Sequence, residues 1–133
     1  MIPANIRAGI GDRLDTITGF RVYDHMPEAP VAPCGVVALG DGLYDEHFDD
    51  DSGSINWIVL VLVSRADDVR GQGVLDTVVA TSGTGSVTVA LRGDPTLGGT
   101  VDTSRVVGWS EPRVYDIGGT PYLGLELEVN TQQ

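Results

Sequence analysis

The sequence predicts an α+β fold, a mixed, mainly antiparallel β-sheet flanked by an N-terminal helix and one or two further helices. Three patterns carry this reading. Apolar residues recur at helical spacing near the N-terminus, Trp57 to Val63 is an unbroken apolar run of strand length, and Leu123, Leu125, Leu127 and Val129 alternate with Gly124, Glu126 and Glu128. The order is helix, strands, two helices, strands. No repeat, low-complexity tract or linker divides it, so residues 1–133 are expected to form one domain.

The first helix is expected over residues 2–17, where Ile2, Ile6, Ile10, Leu14 and Ile17 make one stripe. Pro3 suits its first turn, and Gly19 is placed to end it. Gly9 and Gly11 each weaken a helix by about 1 kcal/mol relative to alanine, so packing must hold it. Phe20 to Asp24 alternates as a strand, and Pro27, Pro30 and Pro33 then favour an extended, irregular connection. Cys34 to Leu39 reads as a strand, Gly40-Asp41-Gly42 as a turn, Leu43 to Phe48 as a further strand and Asp49 to Ser54 as a loop.

Ile55 to Val63 is apolar on both faces, as a central strand covered on both sides should be. Asp67 or Asp68 is positioned to cap a helix over about 69–81, with Val69, Leu75, Val78 and Val79 on its apolar side and Gly83 as a stop. For Ser86 to Leu91, strand-like alternation competes with a good helix cap at Ser86, and the helix is preferred. Asp94 to Gly99 is a turn-rich link. Val101 to Trp109 and Arg113 to Ile117 are strands, the second closed by a Gly118-Gly119 turn.

Charge restricts function. Nineteen acidic residues against eight basic ones give a formal net charge of −11, and every basic residue is arginine. Non-specific binding along a nucleic acid needs many cations to release counterions, and this chain has few. The absence of lysine excludes a phosphate-loop lysine, Schiff-base chemistry and a lysine general base. Cys34 is the sole cysteine, so no internal disulfide and no multi-cysteine zinc site can form; the thiol reads as a small core residue. No apolar run approaches membrane-spanning length, and no signal-peptide pattern opens the chain, so synthesis in the cytoplasm is expected.

The candidate chemical motifs fail on spacing. His25 and His47 each lack a partner at metal-ligand distance in sequence. An EF-hand-like loop opening at Asp49 has Ser54 and Leu60 where glycine and glutamate are required. Gly71-Gln72-Gly73 is followed by Asp76 where a dinucleotide fingerprint needs glycine, and Ser82 to Ser86 matches a phosphate loop in composition only. No serine occupies a nucleophile elbow. No catalytic, cofactor or metal residues are assigned. Exposed aromatics in a polar loop often mark interfaces, which makes the Gly40–Ser54 segment with Tyr44 and Phe48, and the hairpin carrying Arg113, Tyr115 and Tyr122, the candidate subunit contacts; packing of the Tyr44 or Phe48 ring back onto its own domain is an equal alternative.

Further features give the chain a family likeness. They are Ser64-Arg65-Ala66-Asp67 after the apolar strand, Gly73-Val74-Leu75-Asp76, Gly85-Ser86-Val87 with Ala90-Leu91, Asp94 to Val101, and Gly119, Tyr122 and Gly124 in the final hairpin. Together with the N-terminal helix and Pro33-Cys34-Gly35, they resemble the tail terminator proteins of long-tailed bacteriophages, especially those of actinobacterial hosts. The resemblance implies a non-enzymatic virion protein, assembled in the host cytoplasm. It would form a homo-oligomeric, usually hexameric, ring at the head-proximal end of the tail tube. Its partners would be the tail tube protein and a head-side connector or completion protein, with DNA passing through the channel. Another neck protein (a head-closure or tail-completion factor) and an acidic metal-binding module are the alternatives.

Overall fold

In the computed structural model, residues 2–44 and 53–133 are described. They form an α+β arrangement. Helix α1 (Pro3–Leu14) leads into strands β1 (Arg21–Tyr23), β2 (Cys34–Tyr44) and β3 (Gly53–Arg65). Helices α2 (Gly71–Val79) and α3 (Val87–Arg92) follow, and then β4 (Thr103–Trp109), β5 (Arg113–Ile117) and β6 (Thr120–Gln132). Among the described residues the six strands make one sheet in the order β1-β2-β3-β6-β4, with β5 also on β6. Only β1 and β2 run parallel; every other pair is antiparallel.

The C-terminal strand organises this sheet. Along one side β6 pairs with β3, from Ser54 opposite Gln132 to Arg65 opposite Tyr122. Along its other side β4 takes residues 127–132 and β5 takes residues 120–124, so β4 and β5 lie end to end on one flank. The break between them falls at Ser110 to Pro112, where proline has no N–H to give the ladder. Ser110 bridges the gap: its N–H donates to Glu126 O (2.8 Å) and its Oγ accepts from Glu126 N (3.1 Å). Gly118 and Gly119 turn β5 into β6 with φ of 59° and 83°, the positive values a two-residue hairpin turn requires.

All three helices pack on one face of the sheet. There Ile6, Ile10 and Leu14 of α1, Leu75 and Val78 of α2, and Val87, Ala90 and Leu91 of α3 meet Trp57, Val59, Val61, Leu125, Leu127 and Val129. Trp57 is fully buried, and its indole Nε1 donates to Thr131 Oγ1 (3.1 Å), which in turn donates to Ile55 O (3.3 Å). The polar end of the largest core side chain is thereby satisfied. A second, smaller cluster covers part of the opposite face: Cys34, Leu62 and Tyr122 lie under Tyr23, Met26, Ala32, Leu60, Tyr115 and Ile117. The proline-rich connection closes over it, held where the Tyr122 hydroxyl donates to Pro30 O (3.0 Å).

Several sequence expectations need correction. Helix α1 stops at Leu14, Ile2 is an exposed cap residue off the buried stripe, and Ile17 is buried in the turn that follows. Gly40-Asp41-Gly42 does not reverse the chain. The segment is an irregularity inside β2: pairing breaks after Leu39 and resumes at Gly42, while Asp41 accepts a hydrogen bond from Asn56 Nδ2 (2.9 Å) across the pair. Leu43 and Tyr44 therefore extend β2, and Gly53 and Ser54 belong to β3; residues 45–52, the remainder of the expected strand and loop, lie outside the described residues. Helix α2 begins at Gly71 without a side-chain cap, because Asp68 instead accepts from Arg70 N (2.9 Å) in the preceding turn. Val69 is consequently 93% exposed rather than on the apolar side. Helix α3 is present, and Ser86 caps it by accepting from Val89 N (3.2 Å) while its hydroxyl donates to Ala80 O.

The glycines of the helices have separable roles. Leu97 sits in the left-handed region (φ 52°) with its side chain buried, and Asp94 holds this turn by accepting from Thr96 Oγ1 (2.7 Å) and Gly98 N (2.9 Å). A β-carbon on Gly9 would lie 2.9 Å from Leu97 Cβ and 3.1 Å from its carbonyl oxygen, whereas one on Gly73 would meet nothing. Overpacking costs about 1–3 kcal/mol, enough to cancel the ~1 kcal/mol that alanine gains over glycine in a helix. Gly9→Ala is expected to lower the urea midpoint and Gly73→Ala to raise it by the equivalent of about 0.5–1 kcal/mol. Equal stabilisation by both substitutions would contradict the close packing of α1 on the Leu97 turn.

Candidate functional site

A sheet with open sides exposes rows of unpaired N–H and C=O groups, and this one has two long stretches of them. On one side β1 covers only Cys34 to Val36, leaving Val37–Tyr44 of β2 without a strand partner on that flank among the described residues. On the other, β4 and β5 together form the outer edge. The large exposed apolar residues concentrate along these two lines. Leu39, Leu43 and Tyr44 lie on the first, with Tyr44 83% exposed, and Val107, Trp109 and Val114 lie on the second, with Trp109 58% exposed.

Register assigns faces to these side chains. Leu39 is opposite Trp57 and Gly42 opposite Ile55, so both belong to the helix-covered face. An apolar groove of about 240 Å³ opens there between the start of α1 and the β2 edge, lined by Pro3, Leu39, Gly42, Tyr44 and Ile55 among others. On the far side of the sheet an irregularity between Val106 and Gly108 shifts the strand, and Trp109 comes opposite Leu127, again on the helix-covered face. Arg105 lies opposite Asn130 on the other face, where Asn56 Oδ1 accepts from Asn130 Nδ2 (2.8 Å) and continues the polar row begun at Asp41.

The sequence-derived contact residues divide between these places. Tyr44 lies exposed on the β2 edge and does not fold back into the core. Phe48 is outside the described residues. Arg113 is exposed at the start of β5. Tyr115 is half-buried against the smaller cluster; burial raises its hydroxyl pKa, the Glu126 carboxylate adds to this and Arg113 opposes it. Tyr122 is not available to a partner, since it is buried in the chain's own second cluster and bonded to Pro30. Leu43 lies within the expected Gly40–Ser54 contact segment, whereas Trp109 and Leu39 escape the sequence reading, which ends the second strand at Leu39 and gives Trp109 a strand without a face. The adjacent Val106 and Val107 carry the missed signal: two successive apolar residues break alternation and mark an irregular strand.

The remaining surface holds clefts of mixed lining. One of about 590 Å³ runs along Pro30 to Pro33, Arg65, Asp67, Asp68 and Arg70, and another of about 420 Å³ lies between α1 and β1 with Arg7, Asp12, Asp15 and Asp24 at its rim. Among the described residues no group of three or more His, Cys, Asp or Glu side chains is disposed to hold a metal ion, and no helix is long and apolar enough to cross a membrane. The acidic run Asp49 to Asp51 and His47 lie outside the described residues. Cys34 is fully buried in the smaller cluster, and burial pushes its thiol up to about 11, against a smaller opposing effect from a hydrogen bond with the Leu62 backbone. No protein-family model matches the chain, and no curated protein matches it in sequence.

A thiol titrating that high holds little thiolate at mildly alkaline pH, and the thiolate is the reactive form. Iodoacetamide at about pH 8 is therefore expected to alkylate Cys34 roughly a hundredfold more slowly in the folded chain than in urea. Mass-spectrometric labelling rates measure this, and comparable rates in both states would mean that Cys34 is not enclosed.

Proposed function

We propose that this chain is the subunit of a homo-oligomeric ring at the head-proximal end of a bacteriophage tail tube, where it ends tube polymerisation and joins the tail to the head-side connector. The observation that carries the reading is the pair of open sheet edges. They lie on opposite sides of one sheet and both bear exposed apolar side chains. Two different surfaces on one subunit make a head-to-tail contact, and such contacts close into a ring when the rotation per subunit allows. A single self-complementary patch would give a two-fold dimer instead.

The likeness in sequence to tail terminators points the same way, and the fold accommodates it. The quoted segments lie at the end of β3, in α2 and α3, in the Asp94–Gly99 turn and in the β5–β6 hairpin, which are structural positions rather than reactive ones. The net charge of −11 suits a ring that passes DNA, because a wall of like charge resists adhesion of the phosphate backbone. In the proposal the protein resides in the neck of the virion and contacts the tail tube protein on one side and the connector on the other.

Addition of the purified protein to the polymerising tail-tube subunit of the same phage is expected to arrest growth and leave short tubes capped at one end by a six-subunit ring in negative-stain images. Tubes that lengthen unchanged, with no density added at either end, would contradict a terminator.

A further inference from the structure

We infer that neighbouring copies of this chain join edge to edge, with Trp109 of one copy seated in the groove beside strand β2 of the next. The inference rests on the ring reading and specifies which surfaces of the subunit meet.

Strand direction comes first. From β2 through β3 and β6 to β4 every neighbour is antiparallel. Strands β2 and β4 therefore run in opposite directions, so a sheet continued into a second copy brings β4 of one antiparallel to β2 of the next. That pairing satisfies backbone groups which each copy leaves open at Val37–Tyr44 and Thr103–Trp109.

The faces then agree. A continued sheet keeps its helix-covered side on one side throughout, and Trp109 and the 240 Å³ groove are both on that side, at opposite edges. The groove offers Pro3, Leu39, Tyr44 and Ile55, an apolar seat of the kind that an exposed indole fills at the centre of an interface. Each copy supplies one knob and one groove, and neither can fill its own because the whole sheet separates them.

Charge permits the fit. Arg105 and Arg113 are exposed on the β4–β5 edge beside the exposed carboxylates of Glu111 and Asp116, while the free part of β2 carries Asp41 as its charged residue. In a protein of net charge −11, an edge whose two arginines offset its two carboxylates repels a neighbouring copy less than the acidic remainder of the surface does. Because one chain supplies antiparallel open edges with the knob and the groove on the same face, the occupant of the groove is a second copy of this chain, not an unrelated apolar partner.

The test replaces Trp109 by the photo-crosslinker benzoylphenylalanine and maps the cross-linked peptides after irradiation at assembling concentrations. Native mass spectrometry of the wild type, Trp109→Ala and Leu39→Ala across a concentration series accompanies it. Expected are intermolecular cross-links onto the Pro3 region or Leu39–Tyr44, and a tenfold or greater rise in the concentration needed for assembly in both variants. Both positions are exposed, so unchanged urea midpoints will show that the fold is intact. A wild-type ring whose cross-links map elsewhere, or whose assembly is indifferent to both substitutions, would overturn the edge contact and leave the ring. A wild type that stays monomeric throughout and yields no intermolecular cross-link would overturn both.

Discussion

The pairing of β6 with strands on both its sides is the constraint on which the rest of this structure depends. A strand of thirteen residues is long enough to hold β3 along its whole length on one side and two shorter strands in line on the other. Its alternation then decides both faces. Leu125, Leu127 and Val129 complete the floor on which the helices pack, and Tyr122 with Gly124 faces the smaller cluster under the proline-rich connection. Because sheet side chains have a period of two, a one-residue slip of β6 would move the whole apolar set to the wrong face, so the register is strongly specified. The indole of Trp57, bonded to Thr131, locks that register at the end of the strand where β4 also joins.

The same constraint explains the open edges. Strand β6 can accept partners on only two sides, and its outer partners β4 and β5 are followed by no further strand among the described residues. On the other side β2 is far longer than β1, whose three residues cover only its beginning. Proteins that remain single usually blunt such edges with charges, prolines or covering loops. Here apolar side chains stand on both edges, and on one of them Arg105 and Arg113 offset Glu111 and Asp116. An excess of carboxylates elsewhere keeps other surfaces of the subunit mutually repellent, which directs association to these two lines.

Most of the architecture was legible in the sequence because its signals were periodic. The stripe of Ile6, Ile10 and Leu14 and the alternation of the last strand each named an element and its buried side, and the apolar run at Trp57–Val63 named a central strand. The cap at Ser86 correctly decided an ambiguous segment, since a hydroxyl that accepts from the third residue on outweighs a short stretch of strand-like alternation. What failed was local chemistry with two outcomes. Gly40-Asp41-Gly42 has turn composition, but the cross-strand bond from Asn56 to Asp41 belongs to tertiary context and lets β2 run on. Asp68 likewise had two backbone groups within reach and took the turn rather than the helix cap. The contact surface suffered most, because its location depends on which strands end up outermost. No single-strand pattern carries that information, and so Tyr122 was read as exposed while Trp109 passed unnoticed.

The central claim is that this subunit assembles through its two sheet edges. Hydrogen–deuterium exchange, compared between dilute and assembled protein, tests it most directly because it reads backbone amides that pair only on assembly. The account predicts that protection gained on assembly is confined to Val37–Tyr44 and to the β4–β5 edge, with the amides of β3 and β6 already slow in both states. Protection gained over the helices instead, with both edges exchanging as fast as in the dilute protein, would contradict it.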